Sequence, residues 1–248
     1  MFISCNKGLP ERAISIPSKV DTSYQFYFSD SIFTYYNSNK RNGKALIYIH
    51  GCPSGKHNHR SCLLNTPVYN ELIIDLVDDG WMVALIDLPI LRDTSDYWSD
   101  SGFKYRQTYT SKLKQVVEVL EFSDGKKYEW NIGGISYGGL HAIMGASQFK
   151  IFNKYFAILP VVELNALAEF SKYCDVEYFD PFNELTNLKF SKGFIAYNIS
   201  DTRVNGLYSE ILFDSLINSG SDVKRKVFNY GGHKINSDLG FVLSFLNQ

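Results

Sequence analysis

From residue 45 onward the chain alternates short, wholly apolar runs with stretches of helical period, and few folds accept that rhythm. Ala45-Leu46-Ile47-Tyr48-Ile49 is an uninterrupted apolar run, as in a strand covered on both faces. A helix is predicted at about Val68–Asp79, with Leu72, Ile73, Leu76 and Val77 on one side and Gly80 as its stop. Met82–Ile86 reads as a second buried strand. Tyr105, Tyr109, Leu113, Val116, Val117 and Leu120 then fall at helical spacing. Tyr128–Ile132 is a short strand, followed by a Gly-rich turn and a helix from about Tyr137 to Ser147. Strands at Tyr155–Leu159 and Phe194–Asn198, a helix near Leu207–Ile217, a strand centred on Val227-Phe228 and a helix at Ile235–Leu246 complete the series. Such alternation predicts an α/β chain with a mostly parallel central sheet and helices on both faces, three layers in all.

The first 43 residues differ. Ala13–Pro17, Tyr24–Ser29 and Ile32–Tyr36 alternate apolar and polar residues, which predicts antiparallel edge strands. No repeat, low-complexity tract or linker interrupts the 248 residues, so one domain over 1–248 is expected. The 25 basic and 26 acidic side chains leave a net charge of −1, which argues against nucleic-acid binding as the main role. The one basic run, Lys224-Arg225-Lys226, fits a solvated strand. No segment approaches the ~18–20 apolar residues of a membrane span, and the N-terminus lacks the pattern of a secretory signal. Four irregularly spaced cysteines (Cys5, Cys52, Cys62, Cys174) fit reduced thiols and a cytoplasmic location.

Parallel sheets bind ligands at the carboxyl ends of their strands, so chemistry is sought in the residues that follow each strand. After Tyr128–Ile132 comes Gly133-Gly134-Ile135-Ser136-Tyr137-Gly138-Gly139, with Gly134, Ser136 and Gly138 in G-x-S-x-G spacing. A serine on a sharp strand-to-helix turn projects its hydroxyl outward, and small residues two before and two after let strand and helix approach. The alternative is a Gly-rich loop with an incidental serine; a strand before and a helix after argue against it. A serine hydroxyl needs a base. His233, in Tyr230-Gly231-Gly232-His233-Lys234, follows the last strand, whereas His141 lies one turn into the helix behind Ser136 and is expected in packing. The base needs an acid, and Asp201 follows the strand Phe194–Asn198. Asp201 could instead cap the next helix, and Asp175, Glu177 and Asp180 are its rivals. An oxyanion hole is expected from the backbone N–H of Cys52, in the turn His50-Gly51-Cys52-Pro53, and of Tyr137.

These residues together resemble the α/β-hydrolase superfamily, over about residues 44–248. The pieces His50-Gly51-Cys52-Pro53, Gly134-Ile135-Ser136-Tyr137-Gly138-Gly139, Asp201-Thr202-Arg203-Val204 and Gly232-His233 are most similar to the prolyl oligopeptidase catalytic domain and dienelactone-hydrolase-like branches. The resemblance implies a three-layer hydrolase fold and a Ser136–His233–Asp201 triad that forms an acyl-enzyme, with no cofactor. Peptidases of that branch carry a β-propeller ahead of the hydrolase domain, and about 43 residues cannot form one. A carboxylesterase or thioesterase acting on a small acyl substrate is therefore expected ahead of a peptidase.

A short lid is expected at about 160–189, where Phe170, Tyr173, Tyr178, Phe179 and Phe182 either cover the site or pack on the sheet. Tyr97 and Trp98, in the loop Pro89–Gly102, are candidate pocket walls, as are Tyr173 and Phe179. Asp93, Asp96 and Asp100 in that loop read as a solvated acidic surface ahead of a preference for a cationic substrate group. Cys52, His57, His59 and Cys62 lie within eleven residues, but their spacing matches no common zinc motif, so no metal is expected. Acyl transfer through the same serine and a non-catalytic binding protein on the same fold remain the competing classes.

Overall fold

Six parallel strands form the middle of the computed structural model: β3 (Lys44–Ile49), β4 (Met82–Ile86), β5 (Glu129–Ile135), β6 (Phe152–Ile158), β7 (Lys192–Asn198) and β8 (Val223–Phe228). An antiparallel pair, β1 (Tyr24–Ser29) and β2 (Ile32–Asn37), extends the sheet beyond β4. The order is β1-β2-β4-β3-β5-β6-β7-β8. The structure describes residues 24–29, 32–37, 39–51, 67–86, 113–163, 180–235 and 238–248. The expected strand Ala13–Pro17 lies outside them.

The apolar runs follow from burial on both faces. Along β3, Ala45, Ile47 and Ile49 enter one core, while Leu46 and Tyr48 enter the other. On the first face lie α2 (Leu113–Asp124), α3 (Tyr137–Gln148) and α5 (Gly206–Asn218); on the second lie α1 (Pro67–Asp78) and α6 (Gly240–Leu246). Each Leu, Ile or Phe removed from water here contributes roughly 1.5–3 kcal/mol. Strand β8 closes the far side, with Val223 and Phe228 buried and Lys224, Arg225 and Lys226 exposed, as the sequence leads one to expect.

The chain grows outward from β3 in both directions: β4 lies on one side, β5 on the other. That reversal leaves a crevice at the carboxyl ends of β3 and β5, where Ile49 pairs with Gly134. Ser136 follows β5 directly, and Gly51 follows β3 after His50.

Strands β6 and β7 begin two or three residues earlier than expected, at Phe152 and Lys192, and two further boundaries bear on the site. Strand β5 continues through Gly133-Gly134-Ile135, so the ladder itself delivers the chain to Ser136. The last helix begins at Gly240, with Leu239 as its N-cap, and not at Ile235. Of the expected lid, residues 164–179 lie outside the described residues. At its far end Asp180 caps a 3₁₀ turn (Pro181–Glu184), accepting from the Phe182 amide at 2.9 Å. The short helix α4 (Leu185–Leu188) follows and buries Leu188 in the core beside α3 and α5.

Candidate active site

Ser136 stands at the N-cap of α3 with φ 54° and ψ −122°, a conformation L-residues rarely adopt. Close approach of three backbones enforces it. A Cβ on Gly138 would lie 2.2 Å from the Ile49 carbonyl and 2.3 Å from that of His50; one on Gly134 would lie 2.3 Å from the Gly138 carbonyl. The glycines flanking the serine are thus a steric requirement of strand and helix meeting at this point. The Ser136 amide donates to Ile158 O at 2.7 Å, and its carbonyl accepts from Gly139 N at 2.9 Å and Val161 N at 3.2 Å. Leu159, φ 47°, turns the chain after β6 so that Pro160 and Val161 buttress the elbow; its own amide donates to Ala196 O at 2.7 Å. No sequence signal marks Leu159.

Ser136, His233 and Asp201 come together from three strand ends. Ser136 Oγ lies 2.9 Å from His233 Nε2, and His233 Nδ1 lies 2.6 Å from Asp201 Oδ2. The Asp201 side chain is 1% exposed and that of His233 19%, so the acid is dry while the imidazole reaches the cleft. Asp201 Oδ1 also accepts from the amides of Arg203 at 2.9 Å and Val204 at 3.0 Å, so the carboxylate serves as a local cap as well as a partner for His233. Burial pushes the Asp201 carboxyl up. Hydrogen bonds from His233 and the two amides, with the attraction of His233, override it and hold the group below the ordinary carboxylate value. An ionised Asp201 requires a proton on Nδ1, which leaves Nε2 as the acceptor facing the serine hydroxyl. The arrangement can draw a proton from Ser136 and return it from His233.

Tyr137, the first residue of α3, has its ring buried edge-on to His141, with centroids 4.7 Å apart. His141 is packed in the core, as expected. The turn after β3 abuts the nucleophile: a Cβ on Gly51 would sit 3.1 Å from Ser136 Cβ, and His50 Nδ1 donates to Gly51 O at 2.6 Å. Cys52, the next residue, lies outside the described residues, as do Tyr97, Trp98, Tyr173, Phe179, Asp175, Glu177, His57, His59 and Cys62. Asp180, the remaining rival acid, uses its carboxylate on the 3₁₀ turn. Among the described residues, no three potential ligands form a metal cluster and no helix is long and apolar enough to cross a membrane. Sequence reasoning missed Asn198, a fully buried amide ending β7 beside this site; a polar residue closing an apolar strand was the available signal.

No protein-family model matches the chain, and the search of curated proteins found no match. Solved structures do match. A protein assigned as a dienelactone hydrolase from Klebsiella pneumoniae superposes with a TM-score of 0.63 at 11% identity, over 88% of this chain and 92% of its own. The esterase Pf2001 of Pyrococcus furiosus gives 0.62 at 18% identity, over 90% and 88%. The chain has the α/β-hydrolase fold. The acylaminoacyl peptidase of Pyrococcus horikoshii gives 0.64 at 14% identity over 85% of this chain, which spans only 37% of that larger protein.

Proposed function

We propose that this chain is a serine hydrolase that cleaves an ester, thioester or amide of a small acyl substrate. The observation that carries the reading is the continuous relay from a strained Ser136 through His233 to a buried Asp201, at 2.9 and 2.6 Å. Ser136 Oγ attacks the carbonyl carbon while its proton passes to His233 Nε2. The tetrahedral oxyanion is held by the backbone N–H groups of Tyr137 and Cys52. As it collapses, the bond to the leaving group breaks and the His233 proton goes to that group, leaving an acyl-Ser136 ester. Water, deprotonated by His233, attacks the ester; the acid leaves and Ser136 regains its proton. Asp201 holds the imidazole in its tautomer and balances the imidazolium charge. No cofactor takes part, and Tyr97, Trp98, Tyr173 and Phe179 wall the acyl pocket.

An esterase-like substrate is favoured over a peptide because the neighbours matched along most of their length are an esterase and a dienelactone hydrolase. Intact mass after treatment with a fluorophosphonate tests the reading. One adduct on wild type and none on Ser136→Ala is expected; an adduct on both, or on neither, overturns it. An ester and thioester panel then identifies the acyl group.

A further inference from the structure

His233 rides on a loop whose two preceding residues, Gly231 and Gly232, sit at φ 99° and 58°. Such a loop does not hold an imidazole in place by its own stiffness. Asn198 meets it from the neighbouring strand. Its Nδ2 donates to the carbonyls of Tyr230 and Gly232, the latter at 2.8 Å. Its Oδ1 accepts from the Ser200 amide at 3.0 Å and the Ser200 hydroxyl at 2.8 Å. Two carbonyls facing one end demand a donor and an amide N–H facing the other demands an acceptor, so only one orientation of the carboxamide fits. All four of its hydrogen-bonding positions are filled, and the side chain itself is buried. The main chain adds a bond from Asp201 N to Asn198 O at 3.2 Å, and one from Ile199 N to Phe228 O at 2.9 Å.

One side chain therefore ties the turn carrying Asp201 to the loop carrying His233. We propose that Asn198 is a positioning residue, clamping the His233 loop to the Asp201 turn and so holding Nε2 at hydrogen-bonding reach of Ser136. The inference rests on the reading of Ser136, His233 and Asp201 as the reacting groups. Asn198 touches none of the reacting atoms and acts only through the loop.

The test compares wild type, Asn198→Asp and Ser200→Ala. Asn198→Asp preserves shape but sets a carboxylate against two carbonyls. Ser200→Ala, at an exposed residue, removes the hydroxyl bond to Asn198 Oδ1 and keeps the amide bond. Two readouts are taken below the unfolding temperature: the rate of fluorophosphonate labelling, and the NMR signal of the His233 Nδ1 proton in protein with ¹⁵N-labelled histidine. A loss of about 100-fold in labelling rate is expected for Asn198→Asp, the scale of a misplaced catalytic group, and about threefold for Ser200→Ala, the scale of one hydrogen bond. The Nδ1 proton signal should vanish in the first and broaden in the second. A purely structural Asn198 lowers the melting temperature and leaves both readouts unchanged, and that result overturns the proposal. If Asn198→Asp does not fold, Ser200→Ala decides by the same two readouts. If wild type itself is not labelled, the hydrolase reading fails, and the Nδ1 signal alone then judges the clamp: its loss in Asn198→Asp upholds it, its persistence overturns it.

Discussion

Each end of the parallel sheet lines up an aspartate, a basic side chain and a hydroxyl. At the carboxyl end these are Asp201, His233 and Ser136. At the amino end Arg41 Nη1 lies 2.5 Å from both carboxylate oxygens of Asp124 and 3.2 Å from the Tyr128 hydroxyl, which itself donates to Asp124. Arg41 also lies 4.1 Å above the Tyr36 ring. Beside them Glu121 accepts from Lys127 Nζ at 2.5 Å, Trp130 Nε1 at 3.0 Å and the Tyr128 amide at 3.2 Å.

The two lines differ in whether a proton can move. Arginine does not release one in a protein. Burial and then the bond to Asp124 push the Tyr128 hydroxyl up to about 12. Burial pushes Asp124 the same way, but the hydrogen bonds from Arg41 and Tyr128 hold it below its ordinary value. The charges of Arg41 and Asp124 are therefore fixed across physiological pH, and the cluster fastens the chain entering β3 to the end of α2. At the carboxyl end the middle member is an imidazole, whose two ring nitrogens can each carry or accept a proton. Backbone strain divides the same way. Among the described residues the non-glycine positions at positive φ are Ser136 and Leu159, both at the carboxyl end, whereas the turns at the other end place Gly43, Gly80, Gly125 and Gly220 there. Strain sits where a hydroxyl has to be presented.

The same substitution at each end separates fastening from chemistry. Asp201→Asn should lower the fluorophosphonate labelling rate by about 10⁴, because His233 then adopts the wrong tautomer and Nε2 no longer accepts the serine proton. Asp124→Asn should leave that rate unaltered and lower stability by about 1–3 kcal/mol, since Arg41 loses its anion. Labelling kinetics and denaturant unfolding of both variants check this. Equal losses of rate would erase the distinction between the ends.

Glycine to alanine gives a second contrast, in stability. At Gly138 the new Cβ meets two rigid carbonyls, at 2.2 and 2.3 Å, so the elbow has to spread; a loss of about 4 kcal/mol or more, or failure to fold, is expected. At Gly125, φ 66°, nothing lies within 4 Å, and only the left-handed backbone penalty of about 1–2 kcal/mol applies. Denaturant midpoints of Gly138→Ala and Gly125→Ala measure the gap, and similar losses would show that the elbow is less tightly closed than its geometry implies.

Much of the carboxyl end is legible in the sequence because local rules dictate it. A fully buried strand reads as an apolar run, so β3, β4, β6 and β7 announce themselves. The glycines around Ser136 report a steric demand, and the chain order of Ser136, Asp201 and His233 places each after a strand. What stays hidden depends on neighbours distant in sequence. Asn198 looks like a strand-ending turn residue until the His233 loop, more than thirty residues later, is folded against it. Leu159 carries its strain because β7 and the elbow hold it there. The amino-end cluster joins Arg41 to Asp124 and Tyr128 across some eighty residues, and no periodicity encodes such a meeting. Ile235 and Leu239 keep a helical spacing, yet the last helix begins only at Gly240.

The smallest expected effect concerns Tyr128 at alkaline pH. Its folded-state value of about 12 lies above the ordinary 10, so the fold favours the neutral phenol. The stabilisation is complete below pH ~10 and is lost as pH rises from there toward 12, because the unfolded chain releases its proton first. Tyr128→Phe removes the titrating group. Its deficit relative to wild type, about 1 kcal/mol at pH 8 given that the site is only partly buried, should shrink between pH 10 and 12. Tyr155 and Tyr197 are also raised by burial, but both proteins carry them, so they cancel in the difference. Denaturant midpoints of the pair at pH 8, 10 and 11.5 give the result. A constant deficit would mean that Tyr128 packs without holding its proton for Asp124. The amino end would then be fastened by Arg41 alone, and the likeness of the two lines of side chains would be one of composition only.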